Sequence, residues 1–221
     1  AEVSGHPVRN EFNRLTKRCI ARIKAGDRGL VSQVRARLPL LPQEFERERL
    51  FTRVQRAEFV ETSQAEGVEC LFFDAYYPHL FRGTVEVLPE TLTLENLGVS
   101  HQAYVVGLVD VPGELAKAVL DWRVLREPKV EEEMFVLDRF LDIVADIVTL
   151  LSRIGVPEKY ITAMRREDRE GREGGYRDTF YGRLINAKQQ IVRHRLELRQ
   201  MQFGQRLERR FLPAPSEGVS D

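Results

Sequence analysis

Two acidic pairs have the residue types and spacing for chemistry. Glu66 and Glu69 are three residues apart, and Asp110 and Glu114 are four apart. On a helix both spacings put two side chains on one face. Each pair is set among apolar residues, Val68, Cys70 and Leu71 around the first and Val109, Val111 and Leu115 around the second. Partly buried carboxylates are costly unless a positive charge compensates them. Arg or Lys partners can do this, which would make the pairs structural. A hard divalent cation between the helices can also do it. Mg2+ takes oxygen ligands and keeps several waters, so a few carboxylates suffice to hold it. Spacing alone leaves both options open.

The other reactive residue types point elsewhere. His79, His101 and His194 are scattered and read as surface or structural histidines. The Glu-x-x-His pattern of di-metal helical bundles is missing. Cys19 and Cys70 fall in helical patterns and read as buried reduced thiols, which suits an intracellular compartment. Arg49, Arg53 and Arg56 share one helical face at spacings of four and three. They read either as a nucleic-acid contact or as a solvated face paired with Glu46 and Glu48. Lys17 and Arg18 are further basic candidates. No groove-reading motif or zinc pattern occurs, so single strands are the nucleic acid that fits.

The elements that must position these residues are helices. Val8, Phe12, Leu15, Cys19, Ile20 and Ile23 follow helical spacing up to Ala25-Gly26-Asp27. A shorter helix is expected over Leu30 to Leu38, stopped by Pro39 and Pro42. A long one is expected from about Glu44 to Tyr77, ending before Pro78. Residues 82–100 read as loop and turn. Ser100 is a good N-cap for a helix to about Leu125, interrupted at Pro112 and Gly113. Another helix is expected from Val130 to Arg153, and a short one from Pro157 to Met164. Residues 165–175 read as a charged loop, and a last helix runs from about Tyr176 to Phe203. The expected fold class is all-α, a bundle of six or seven helices, two of them long. Residues 1–211 form one helical domain, and 212–221 read as a disordered tail.

Bulk composition agrees with a globular helical unit. Hydrophobic residues make up 43% and charged residues 31% of the 221. No apolar run approaches the ~18 residues of a membrane span, and the N-terminus has no secretory pattern. A cytoplasmic location, or a nuclear one in a eukaryote, is expected. Net charge is zero but unevenly spread. Residues 1–60 carry 13 Arg/Lys against 7 Asp/Glu, residues 61–155 carry 7 against 17, and residues 176–211 carry 9 against 3. Basic ends around an acidic centre suit an anion-binding surface beside a metal-loving site. They also suit solvated helix faces.

Residues 104–115 read Tyr-Val-Val-Gly-Leu-Val-Asp-Val-Pro-Gly-Glu-Leu. This resembles the Trax branch of the translin family, whose helix reads Tyr-x-x-Gly-x-x-Asp-x-x-Gly-Glu-Leu. Glu66-Gly-Val-Glu with its aromatic continuation resembles the family's Glu-x-Val-Glu helix. Leu15-Thr-Lys-Arg-Cys-Ile resembles the Ser-Lys-Arg segment of the first helix. The matches occur in family order and loosely cover residues 10–200. A second Glu-x-Val-Glu, Glu58 to Glu61, competes with 66/69, but the aromatic run follows the latter. Pro112 and Gly67 depart from the family pattern. Proline can bend a helix, so the Asp110–Glu114 geometry is put in question.

The resemblance implies a Mg2+-dependent endoribonuclease subunit, with Mn2+ able to replace Mg2+, acting on single-stranded RNA. Glu66, Glu69, Asp110 and Glu114 would form the active site and hold the ion, partly through water. The segment with Arg49, Arg53 and Arg56 resembles the family's basic nucleic-acid contact, and single-stranded DNA is a second ligand. Subunits would assemble with themselves or with a translin-like partner into a hollow octamer. Asp110 places the resemblance on the catalytic Trax side. The rival within the family is a non-catalytic single-strand-binding scaffold. The rival outside it is a structural helical protein.

Overall fold

The computed structural model describes residues 7–47, 52–82, 92–154, 189, 192–193 and 196–203. Among these residues the fold is all-α and contains no strand. In chain order the elements are α1 (Pro7–Lys24), α2 (Val31–Arg37), a 3-10 turn (Leu38–Leu40), α3 (Leu41–Glu46), α4 (Arg53–Arg82), α5 (Leu94–Leu97), α6 (His101–Arg126) and α7 (Val130–Arg153). Residues 196–203 are helical as well.

α4 is the central helix and packs against α1, α2, α3, α6 and α7. Its 30 residues explain that place. Val68 and the run from Cys70 to Phe73 are buried on successive sides of the helix, so neighbours must cover it all round. α6 is the same kind of helix: Tyr104, Val105, Leu108, Val109, Val111 and Leu115 are all buried. α7 is amphipathic, with Val136, Leu137, Phe140, Val144 and Ile147 turned to the core. The first-turn acids Glu131, Glu132 and Glu133 suit the positive end of its helix dipole.

Two approaches on different sides of α4 fix its place. A Cβ on Gly67 would stand 2.5 Å from Leu38 Cδ1 and 3.1 Å from Phe12 Cζ. On the other side, a Cβ on Gly107 would strike the Ala65 carbonyl oxygen and stand 2.7 Å from Val68 Cβ. Gly67 therefore lets α1 and the 3-10 turn close onto α4, and Gly107 lets α6 do so. A polar link fixes the register of α4 and α6. Gln64 Oε1 accepts a hydrogen bond from Ser100 N–H at 3.2 Å, and Ser100 Oγ accepts from Ala103 N–H at 3.1 Å.

Several boundaries differ from expectation. Ser100 caps α6 and α7 spans Val130–Arg153, as the sequence predicts. Pro112 and Gly113 do not interrupt α6, which runs unbroken through both. Proline forfeits one hydrogen bond, and the burial of Pro112 within the α6 packing offsets that loss. Pro78 likewise lies inside α4 and does not end it. The helix expected from Glu44 is in fact two, α3 ending at Glu46 and α4 starting at Arg53. Pro39 and Pro42 start the 3-10 turn and α3, where a missing N–H costs nothing, in addition to ending α2. Within 92–100, α5 forms one helical turn capped by Thr93 and by Gly98 in the left-handed region. Three helices are long, α4, α6 and α7, where two were expected. The expectations for 83–91, for the loop at 165–175 and for the tail at 212–221 lie outside the described residues.

Candidate active site

α4 and α6 pack along each other, and their close approach at Gly107 sets what faces what. Ala65 and Val68, which meet Gly107, flank Glu66 and precede Glu69. Asp110 lies three residues after Gly107, on the next turn. The contact therefore brings the two acidic pairs opposite each other. All four carboxylates are half-buried. Glu58 and Glu61 lie farther down α4, and the carboxylates that chiefly raise Glu66 and Glu69 are instead those of the two pairs.

Burial and mutual repulsion shift the protonation of this group. Glu69 is pushed up to about 8, first by burial and then by the charges of Asp110, Glu66 and Glu114, with Lys117 opposing. Burial also raises Glu66; Lys17 opposes this, and Asp110 and Glu114 add to it. Neither Glu66 nor Glu69 makes a direct ion pair with a described residue. Glu114 does, with Lys117 one turn on. That bond raises the Lys117 ammonium above its ordinary value.

The donor chemistry fits a hard divalent cation. All four groups offer carboxylate oxygens, burial and mutual repulsion raise Glu66 and Glu69, and a doubly charged ion would reverse that. Among the described residues no three His, Cys, Asp or Glu side chains converge closely enough to ligate one ion directly. Ligation in part through water, the habit of Mg2+, is the mode this arrangement allows.

The basic candidates separate. Arg53 is exposed on the first turn of α4, and Arg56 is half-buried about 15 Å along the axis from Glu66. Neither is among the main charges acting on Glu66 or Glu69. Arg49 lies outside the described residues. Lys17 acts on Glu66, whereas Arg18, equally exposed, is turned about 100° round α1 and is not among the main charges on Glu66 or Glu69. Of the histidines, His101 meets the Ile154 carbonyl oxygen at 3.3 Å. Cys19 and Cys70 are free and buried, and each acts on the other, which lowers Cys19 and raises Cys70. Burial and that interaction make Cys70 a poor nucleophile.

Sequence reasoning missed Lys117 and Gly107 as parts of the site. The i,i+3 spacing from Glu114 to Lys117 was a usable signal. So was a glycine in an otherwise apolar helix, which points to close approach. Among the described residues no helix is long and apolar enough to cross a membrane. Compared with protein-family models, curated proteins and solved structures, the chain matches none.

Proposed function

We propose that the protein is a subunit of a Mg2+-dependent endoribonuclease that cleaves single-stranded RNA by phosphodiester hydrolysis. Glu66, Glu69, Asp110 and Glu114 are its active site. The observation that carries this reading is the meeting of four half-buried carboxylates from two helices, with Glu69 raised to about 8 and no guanidinium set against it. A structural carboxylate on this helix has a guanidinium partner, as Asp74 has Arg28, whereas Glu66 and Glu69 are ion-paired by no described residue. The resemblance of residues 104–115 to the Trax helix supports the same reading, as does the continuity of α6 through Pro112, which keeps Asp110 and Glu114 on one face.

The chain's own groups divide the work. Asp110 and Glu114 project from α6, and Glu66 and Glu69 from α4, so the ion would lie between the two helices. Mg2+, or Mn2+ in its place, supplies a water of lowered pKa and offsets charge on the scissile phosphate. Glu69 holds a proton near neutral pH in the ion-free protein. Lys117 restrains Glu114 through their ion pair. The active form is an oligomer of the translin/Trax type, built from this chain alone or with a translin-like subunit. Arg53, Arg56 and Arg49 contact RNA outside the site, and single-stranded DNA is a second ligand of the same surface.

The test is a cleavage assay on labelled single-stranded RNA, with Mg2+ and with chelator, for wild type and Asp110→Asn. Cleavage that requires Mg2+ and fails in the variant is expected. Equal cleavage by both proteins would reject the site. Binding without cleavage, with or without Mg2+ and with or without a translin-like subunit, would establish the scaffold alternative instead.

A further inference from the structure

An RNA backbone is repelled by four carboxylates, so a nuclease of this design needs cations placed to hold phosphate beside them. The basic residues of α1 fall into two sets. By helical spacing Arg9, Lys17 and Lys24, eight and seven apart, share one broad face of the helix, while Arg14, Arg18 and Arg22 fall on the opposite face. The first face runs beside α4 and reaches α6. Lys24 bonds Asp121 of α6 at 3.2 Å, and its carbonyl accepts a hydrogen bond from Tyr77 of α4 at 3.3 Å. At the other end Arg9 lies over the Phe59 ring of α4, 5.3 Å from its centroid. Lys17 comes between them on the same face, and its charge acts on Glu66.

Lys24 is thus committed to Asp121, and Lys117 to Glu114. Arg9 and Lys17 make no direct ion pair with a described residue. Asn13, between them on the same face, has a side-chain oxygen that is buried with no hydrogen-bond partner. One wall of the acidic site therefore offers two cations that no described carboxylate pairs with directly.

We propose that Arg9 and Lys17 form a phosphate-binding wall that holds the backbone of single-stranded RNA against the carboxylates of α4 and α6. This rests on reading those carboxylates as a nuclease centre. Arg9 and Lys17 are about 12 Å apart along the axis, so they hold different phosphates of one strand. Lys17, nearest Glu66, positions the phosphate at the reacting end. The Lys24–Asp121 pair closes the wall beyond it.

The experiment uses the full chain and a labelled single-stranded RNA. Binding is measured in chelator across a salt series, and cleavage is measured separately in Mg2+. Arg9→Gln and Lys17→Gln should each weaken binding and lower the slope of log affinity against log salt by about 0.7, the value for one lost phosphate contact to a single strand. Lys17→Gln should raise KM more than it lowers kcat, and Lys17→Arg should restore both. Arg18→Gln, equally basic but on the opposite face of the helix, should leave slope and KM as in wild type. Thermal melting of each variant verifies folding.

Slopes for Arg9→Gln and Lys17→Gln equal to that of Arg18→Gln would overturn the wall, even if Mg2+-dependent cleavage is found. So would a wild-type chain that binds no RNA. The reverse result, salt slopes that depend on Arg9 and Lys17 but no cleavage, would uphold the wall as a nucleic-acid surface and reject the nuclease reading.

Discussion

Buried acids are treated in two ways in this molecule. Asp74, one turn beyond Glu69 on α4, is 5% exposed and held by both Arg28 Nε and Nη2, at 2.6 and 2.5 Å. Glu133 at the start of α7 is also 5% exposed and is met by Arg123 at 2.7 Å. Each buried carboxylate has its own guanidinium. Glu66 and Glu69 share the same central helix, and among the described residues no guanidinium pairs with either directly. The chain is rich in arginine, so the difference is not one of supply. A forked guanidinium satisfies a carboxylate and removes its capacity to take another cation. Where that capacity is kept, the cost of repulsion is kept with it.

The comparison breaks most sharply at Asp110. Asp110→Asn should reduce RNA cleavage by at least about 100-fold, the upper end of what losing an outer-shell metal partner costs. Thermal melting should leave it folded. Full activity with unchanged Mg2+ dependence would make the cluster a structural one like Asp74. The opposite variant, Arg28→Ala, should leave chemistry alone and damage folding. Stranding a buried carboxylate costs about 3–5 kcal/mol. Arg28 is 62% exposed on its side chain, so water replaces part of the bond and about 2–3 kcal/mol is expected. Denaturant unfolding measures this, and a loss below 1 kcal/mol (roughly the value of a surface pair) would remove the contrast.

A smaller effect comes from the contact that brings the pairs together. Gly107→Ala should cost about 1–3 kcal/mol through overpacking against Ala65 and Val68. It should also lower cleavage, because separating α4 from α6 separates the carboxylates. Gly113, six residues on, has open space around its Cβ position. Gly113→Ala should be neutral or stabilising by up to about 1 kcal/mol, the gain in helix propensity. Equal unfolding midpoints for the two variants would show that α6 does not need the close approach.

These features differ in how far the sequence reveals them. α7 shows its full length, since Val136, Phe140, Val144 and Ile147 repeat at helical spacing and nothing breaks the run. The start of α6 shows through Ser100, because a cap is a local device. Pro78 and Pro112 misled because propensity is local, while burial within long packed helices carries a proline through. The pairing of the acids within each helix follows from spacing alone. Their meeting across helices depends on Gly107 against Ala65, and Arg28 finds Asp74 across 46 residues. Contacts of that range leave no mark on either segment by itself. The basic face of α1 was half legible. Lys17 and Arg18 are adjacent in sequence, but only the packing of α1 on α4 shows which one faces Glu66.

Glu69 supplies the finest test of the contrast, through pH. Its carboxyl is raised to about 8 in the ion-free protein, above the ordinary 4.5, by burial and by three neighbouring carboxylates. The folded state thus binds a proton that the unfolded state releases in this window. Stability contributed by that proton is present below about 4.5 and is lost as pH rises through 8. Solvent screening should hold the effect to the order of 1 kcal/mol, or about 2–4 °C in Tm. Glu69→Gln removes the charge, so its Tm without Mg2+ should exceed that of wild type at pH 8, with the difference gone at pH 5. Mg2+ should reverse the order at pH 8, because it stabilises only the protein that can offer it the carboxylate. A wild-type Tm that tracks the variant at both pH values, with and without Mg2+, would mean that Glu69 is as settled in its place as Asp74.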